Sequence, residues 1–201
     1  MKSVLTAIAG LALVTSAHAQ LHETDVILET GTGVIETMGQ VEGGGFEPGC
    51  VFSADITAGS TNDPGFDNFN GTFGTNQNVY LDIVSHLRAW DGADWISAAP
   101  TQIRITRGFD GPVFSPSEGG GIAEGFAVSA NSSGKWHKHF LFTPVGAAND
   151  PVYALELQLR TDESMPGTSE PFWFVFRNNA DSVTFDDAVA AARTGLGTCN
   201  A

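Results

Sequence analysis

Positive charge is scarce in this chain of 201 residues: nine lysines and arginines face 23 aspartates and glutamates, for a formal net charge of −14. Nucleic acid is bound by neutralising phosphates with Lys and Arg, so that class of partner is excluded. Anionic membrane surfaces are disfavoured for the same reason. Cysteine is scarce too. Cys50 and Cys199 are the only two, and neither has a CxxC neighbour that would suggest a redox couple or a thiolate metal site. The apolar run at 4–14 falls short of the ~20 residues needed to cross a bilayer, and no later stretch is long or apolar enough. Catalytic signatures are missing as well: the chain has no GxSxG, no HExxH, no phosphate loop and no conventional cysteine nucleophile. The expectation is a protein without enzymatic activity and without membrane insertion.

What is present begins with that short apolar run. Lys2 precedes it, and Ala17-His18-Ala19 supplies the small-x-small pattern accepted by a signal peptidase. Residues 1–19 therefore read as a signal peptide, and 20–201 as a single β-sandwich domain, secreted or periplasmic. Cleavage after Ala19 removes Lys2 and no acid, so the mature chain is more acidic still. In an oxidising compartment Cys50 and Cys199 are expected to be bridged, tying the C-terminus to an early strand. Closing so long a loop contributes roughly 4–5 kcal/mol in loop-closure terms.

Runs of alternating or β-rich residues recur between Gly, Pro, Asn and Asp punctuation. Strands are expected over 25–29, 34–38, 50–57, 79–85, 102–107, 125–130, 136–143, 152–160 and 171–177. In 152–160, Tyr153, Leu155, Leu157 and Leu159 alternate with Ala154, Glu156, Gln158 and Arg160, giving one buried and one wet face. Phe172-Trp173-Phe174-Val175-Phe176 is apolar on both faces and should be a strand covered on each side. A helix is expected over 185–193, with Thr184 as N-cap and Asp186 and Asp187 in its first turn. The fold class is all-β: an antiparallel β-sandwich or jelly roll with one short C-terminal helix.

Histidine carries the functional signal. His18 falls in the leader, which leaves His22, His86, His137 and His139. In Trp136-His137-Lys138-His139-Phe140, residues two apart project from one face of a strand, roughly 6–7 Å apart. Two imidazoles so placed can share one ion, with Trp136, Phe140 and Phe142 turned toward the core behind them. His22, beside Glu23 and Asp25, can fold over the sheet as a further ligand. Asp25 or His86 is the candidate fourth. Zinc is the expected metal; copper is accepted by the same imidazoles. A second cluster, Thr61-Asn62-Asp63-Pro64-Gly65-Phe66-Asp67, has oxygen ligands that suit calcium, but Asx-Pro-Gly is first of all a turn.

Taken together, several motifs resemble the exported PEP-CTERM-associated proteins repressed by the zinc uptake regulator. They are His22 with Asp25-Val26, Asp63-Pro64-Gly65-Phe66, Trp90-Asp91-Gly92, His137-Lys138-His139, Tyr153-Ala154-Leu155-Glu156-Leu157-Gln158-Leu159 and Glu170-Pro171-Phe172-Trp173-Phe174-Val175-Phe176. The resemblance implies a secreted β protein connected with zinc shortage that binds the metal through its histidines. No Pro-Glu-Pro motif accompanies Cys199-Asn200-Ala201, so the chain is expected to be free in the periplasm or medium. The alternative from another class is a secreted carbohydrate-binding or adhesion β-sandwich module. In that reading Trp90, Trp95, Trp136 and Trp173 would offer surface platforms for sugar rings.

Overall fold

The computed structural model of the chain describes residues 25–41, 45–146 and 149–196. In chain order the strands are β1 (Val26–Glu29), β2 (Glu36–Gln40), β3 (Phe46–Pro48), β4 (Val51–Asp55), β5 (Phe66–Asn68), β6 (Asn78–Ile83) and β7 (Arg88–Trp90). They continue with β8 (Trp95–Ser97), β9 (Gln102–Arg107), β10 (Asp110–Phe114), β11 (Ala127–Ser129), β12 (Leu141–Val145), β13 (Val152–Thr161) and β14 (Phe172–Arg177), followed by α1 (Ser182–Gly195). The architecture is the all-β sandwich with one short C-terminal helix that the alternation implies.

One wall runs β11-β6-β13-β14-β4, with the β7–β8 hairpin added on β13. The other wall is made of two pieces, β3-β2-β1-β5 and β10-β9-β12. Backbone bonds stitch the pieces together: Phe66 N and Lys138 N donate to each other's carbonyls at 2.8 and 2.9 Å. Thr61 and Phe142 do the same at 3.0 and 2.8 Å. Most pairings are antiparallel. β1 with β5 and β4 with β14 are parallel, which is possible because long stretches of chain separate the members of each pair.

Aromatic rings fill the space between the walls. Phe66, Trp136, Phe140 and Phe142 from one wall meet Phe172, Phe174 and Phe176 from the other, all fully buried. Phe66 stacks on Phe174 at 5.6 Å, and Phe142 meets Phe176 at 5.3 Å. The opposite face of β14 presents Trp173 and Val175 to a second cluster with Val152, Ala154 and the α1 residues Ala188 and Ala192. Ala154, on the face expected to be wet, is thus covered by the helix.

The helix starts earlier than expected. Asp181, not Thr184, is the N-cap, its carboxylate accepting from Thr184 N at 2.9 Å and Thr184 Oγ1 at 3.0 Å. Thr184 sits one turn in, so Asp186 and Asp187 fall beyond the first turn, away from the helix's positive end. No helix among the described residues is long and apolar enough to cross a membrane.

Candidate metal centre

The site is built where the two pieces of the second wall join. Val26 pairs with Phe66 in parallel and Phe66 bridges Lys138 in antiparallel sense. One residue beyond these pairs, Asp25, Gly65 and His139 therefore lie in a row across three neighbouring segments. Period two holds along 136–142: Trp136, Phe140 and Phe142 are fully buried, while His137, His139 and Leu141 are on the outer side with exposed surface. The bridge at Phe66–Lys138 and the one at Thr61–Phe142 differ by one residue in register. That extra residue falls on the 62–65 side, so the histidine spacing is undisturbed.

Three ligand atoms converge. His137 Nε2 and His139 Nε2 are 3.0 Å apart, and Asp25 Oδ2 lies 3.3 Å from the first and 3.6 Å from the second. Bonds of ~2.0–2.2 Å in tetrahedral geometry place ligand atoms about 3.3–3.5 Å apart; the triangle brackets that spacing, with the two nitrogens closer and Asp25 to His139 slightly wider. Within 4.8 Å of one another, Asp25, His137 and His139 form a group that can hold a metal ion. The carboxylate is sealed from solvent, whereas the side chains of His137 and His139 are 38% and 26% exposed.

The surroundings set the ligands' state. His139 Nδ1 lies 2.9 Å from the Asn62 carbonyl, which can only accept, so Nδ1 carries the proton. In the neutral ring Nε2 then has its lone pair turned to the shared point, the arrangement by which metal-binding histidines are oriented. Asp63 Oδ1 stands 3.6 Å from the same Nδ1. Gly65 N donates to Asp25 Oδ1 at 3.1 Å, and Oδ2 faces the two rings. Between the histidines, Lys138 is drawn below the usual lysine range, first by burial and then by the charge of Arg107.

The other expected ligands fall differently. His22 lies outside the described residues, as does Cys199. His86 follows β6 and borders a separate cleft with Glu118 and Pro100, outside the Asp25, His137 and His139 group. The 61–67 cluster does not gather its oxygens for calcium: Asp67 takes Asn68 N at 2.8 Å and Lys135 Nζ at 3.2 Å. Its turn instead supports the histidine site, through the Asn62 carbonyl and Gly65. Neither was singled out by sequence as part of that site, although Asn-Asp-Pro-Gly marked the turn. Comparison of the chain with protein-family models, with curated proteins and with solved structures returns no match.

Proposed function

We propose that this is an exported metal-binding protein that holds zinc through Asp25, His137 and His139 and acts in metal buffering or acquisition, without catalysis. The observation that carries the reading is the convergence of two imidazole nitrogens and one buried carboxylate oxygen on a single point. Nitrogen-rich sites of this kind also accept copper, which the Irving–Williams order favours, so zinc follows from the donor set together with the family resemblance. His22 is the fourth ligand in this reading. It lies three residues before Asp25, a reach of about 10 Å, and a fourth protein ligand makes a closed site suited to storage.

In this reading residues 1–19 are a leader that carries the protein out of the cytoplasm, where a Cys50–Cys199 bridge can form. The sugar-binding alternative loses its support from the tryptophans. Trp136 is fully buried, Trp173 and Trp90 are 3% and 7% exposed, and Trp95 leans on Trp90 with centroids 5.4 Å apart. Calorimetry on chelator-stripped mature protein is the test. Zinc binding with one site per chain is expected, and binding no tighter than millimolar would end this reading.

A further inference from the structure

We infer that Gly65 is the positioning residue of this centre: its missing side chain is the seat of the His139 ring, and this allows Asp25 and His139 to meet across an intervening strand. The inference rests on the metal-binding reading for its consequence, but its geometry stands in the metal-free protein. A Cβ built on Gly65 would lie 2.5 Å from His139 Cε1, 2.6 Å from Nδ1 and 2.8 Å from Nε2. No real Cβ tolerates such approaches, so any side chain at 65 displaces the ring.

The glycine is not demanded by the backbone. Positive φ occurs at other glycines, such as Gly59 and Gly71, and not at Gly65. The nearest atoms a Cβ would meet are all in the His139 side chain. That ring is partly exposed and can swing into solvent. The backbone bonds of Gly65, to Asp25 Oδ1 at 3.1 Å and from Val26 N at 2.9 Å, survive substitution by alanine. One segment that supplies no ligand thus organises two: it holds the Asp25 carboxylate by its N–H, and leaves room for the imidazole that the Asn62 carbonyl orients. A supporting group of this kind is worth 10–100-fold in metal affinity.

Gly65→Ala is expected to lower zinc affinity about 30–100-fold while the metal-free melting temperature changes little. Gly111→Ala is the control, since nothing lies within 4 Å of a Cβ there. In metal-free protein the His139 Nδ1–H, bonded to the Asn62 carbonyl, should give a protected imide proton signal in NMR, retained in Gly111→Ala and lost in Gly65→Ala. If wild type binds no metal, the functional reading fails while this signal still decides the role of Gly65. The double variant Gly65→Ala/His139→Ala separates packing from positioning. If Gly65 acts only through the ring, alanine at 65 has no further effect once His139 is gone. Unchanged zinc affinity and an unchanged imide signal in Gly65→Ala would overturn the inference. So would misfolding of the double variant.

Discussion

His137 and His139 meet Nε2 to Nε2 at 3.0 Å, with the buried Asp25 Oδ2 at 3.3 and 3.6 Å from the two nitrogens. Because His139 Nδ1 is already donating to Asn62, its Nε2 in the neutral ring can only accept. A proton on His137 Nε2 can be donated to His139 Nε2 or to Asp25 Oδ2. In the metal-binding reading a divalent cation would contact all three atoms at once and would replace that proton.

The first prediction concerns the ligands. His137→Ala and His139→Ala should each lower zinc affinity about 100-fold or more, because each removes one of few bonds to the ion. Neither ring is in the core, so the metal-free melting temperature should stay close to wild type. Asp25→Asn keeps the acceptor for Gly65 N and removes the charge. It should weaken binding without loosening the strand, as measured by calorimetry and thermal melts side by side. A large drop in metal-free stability in all three variants would show that the cluster serves the fold instead.

Proton competition gives the second prediction. Imidazoles must be neutral to ligate, and two of them compete with protons for the same ion. Zinc affinity should therefore fall steeply on acidification from about pH 7 to 5. Calorimetry in two buffers of different ionisation enthalpy should show protons released on binding. An affinity that is flat over this range would mean that carboxylates, and not histidines, hold the metal.

Much of this was legible along single strands. Period two in 152–160 fixes which side chains of β13 are buried. The strand expected over 136–143 begins only at Leu141, yet 136–140, held by the single Phe66–Lys138 bridge, keep the same alternation of buried and outward side chains. The five apolar residues from Phe172 to Phe176 announced a strand covered on both faces. What a single strand cannot reveal is its neighbour. Strand pairing placed Gly65 between Asp25 and His139, and nothing local to 62–65 indicates that a turn there faces a histidine far along the chain. The short strands β3, β5, β7, β8 and β10 are not among the strands expected from the sequence, for a related reason. They have three to five residues each, and each is extended against a partner strand that its own residues do not name.

A third prediction follows from carboxylates at the surface. The side-chain hydrogen bond from Arg177 pulls the Asp55 carboxyl below its usual range, and the Thr184 N–H does the same for Asp181 at the helix cap. A depressed folded-state value means stabilisation that is present above the unfolded-state value, near pH 4, and is lost as pH falls through the folded one. Thermal melts of metal-free protein should be nearly flat between pH 7 and 5 with respect to these groups, then decline below about pH 4. Asp181→Ala should flatten part of that decline. If the acid limb is identical in the variant, the cap does not carry the linkage.

The last prediction concerns the two cysteines. Cys50 precedes β4 and is 7% exposed. It borders the same cavity as Arg193, in the last turn of α1, and the helix ends at Gly195, four residues before Cys199. The helix terminus is thus brought toward Cys50 by its packing on β14 and β4, and a bridge to Cys199 asks for no long detour of the chain. Such a bridge closes most of the domain into one loop, which is worth roughly 4–5 kcal/mol from loop-closure entropy. For a domain of this size that corresponds to a fall of about 10 °C or more in melting temperature when the bridge is absent. Non-reducing mass spectrometry of the exported protein should find it two hydrogens lighter than its reduced form. Cys50→Ser and Cys199→Ser should each lower the melting temperature by the same amount, and the double variant by no more than either. Two titratable thiols in the folded, exported protein, or single variants that differ widely in stability, would show that the cysteines act separately.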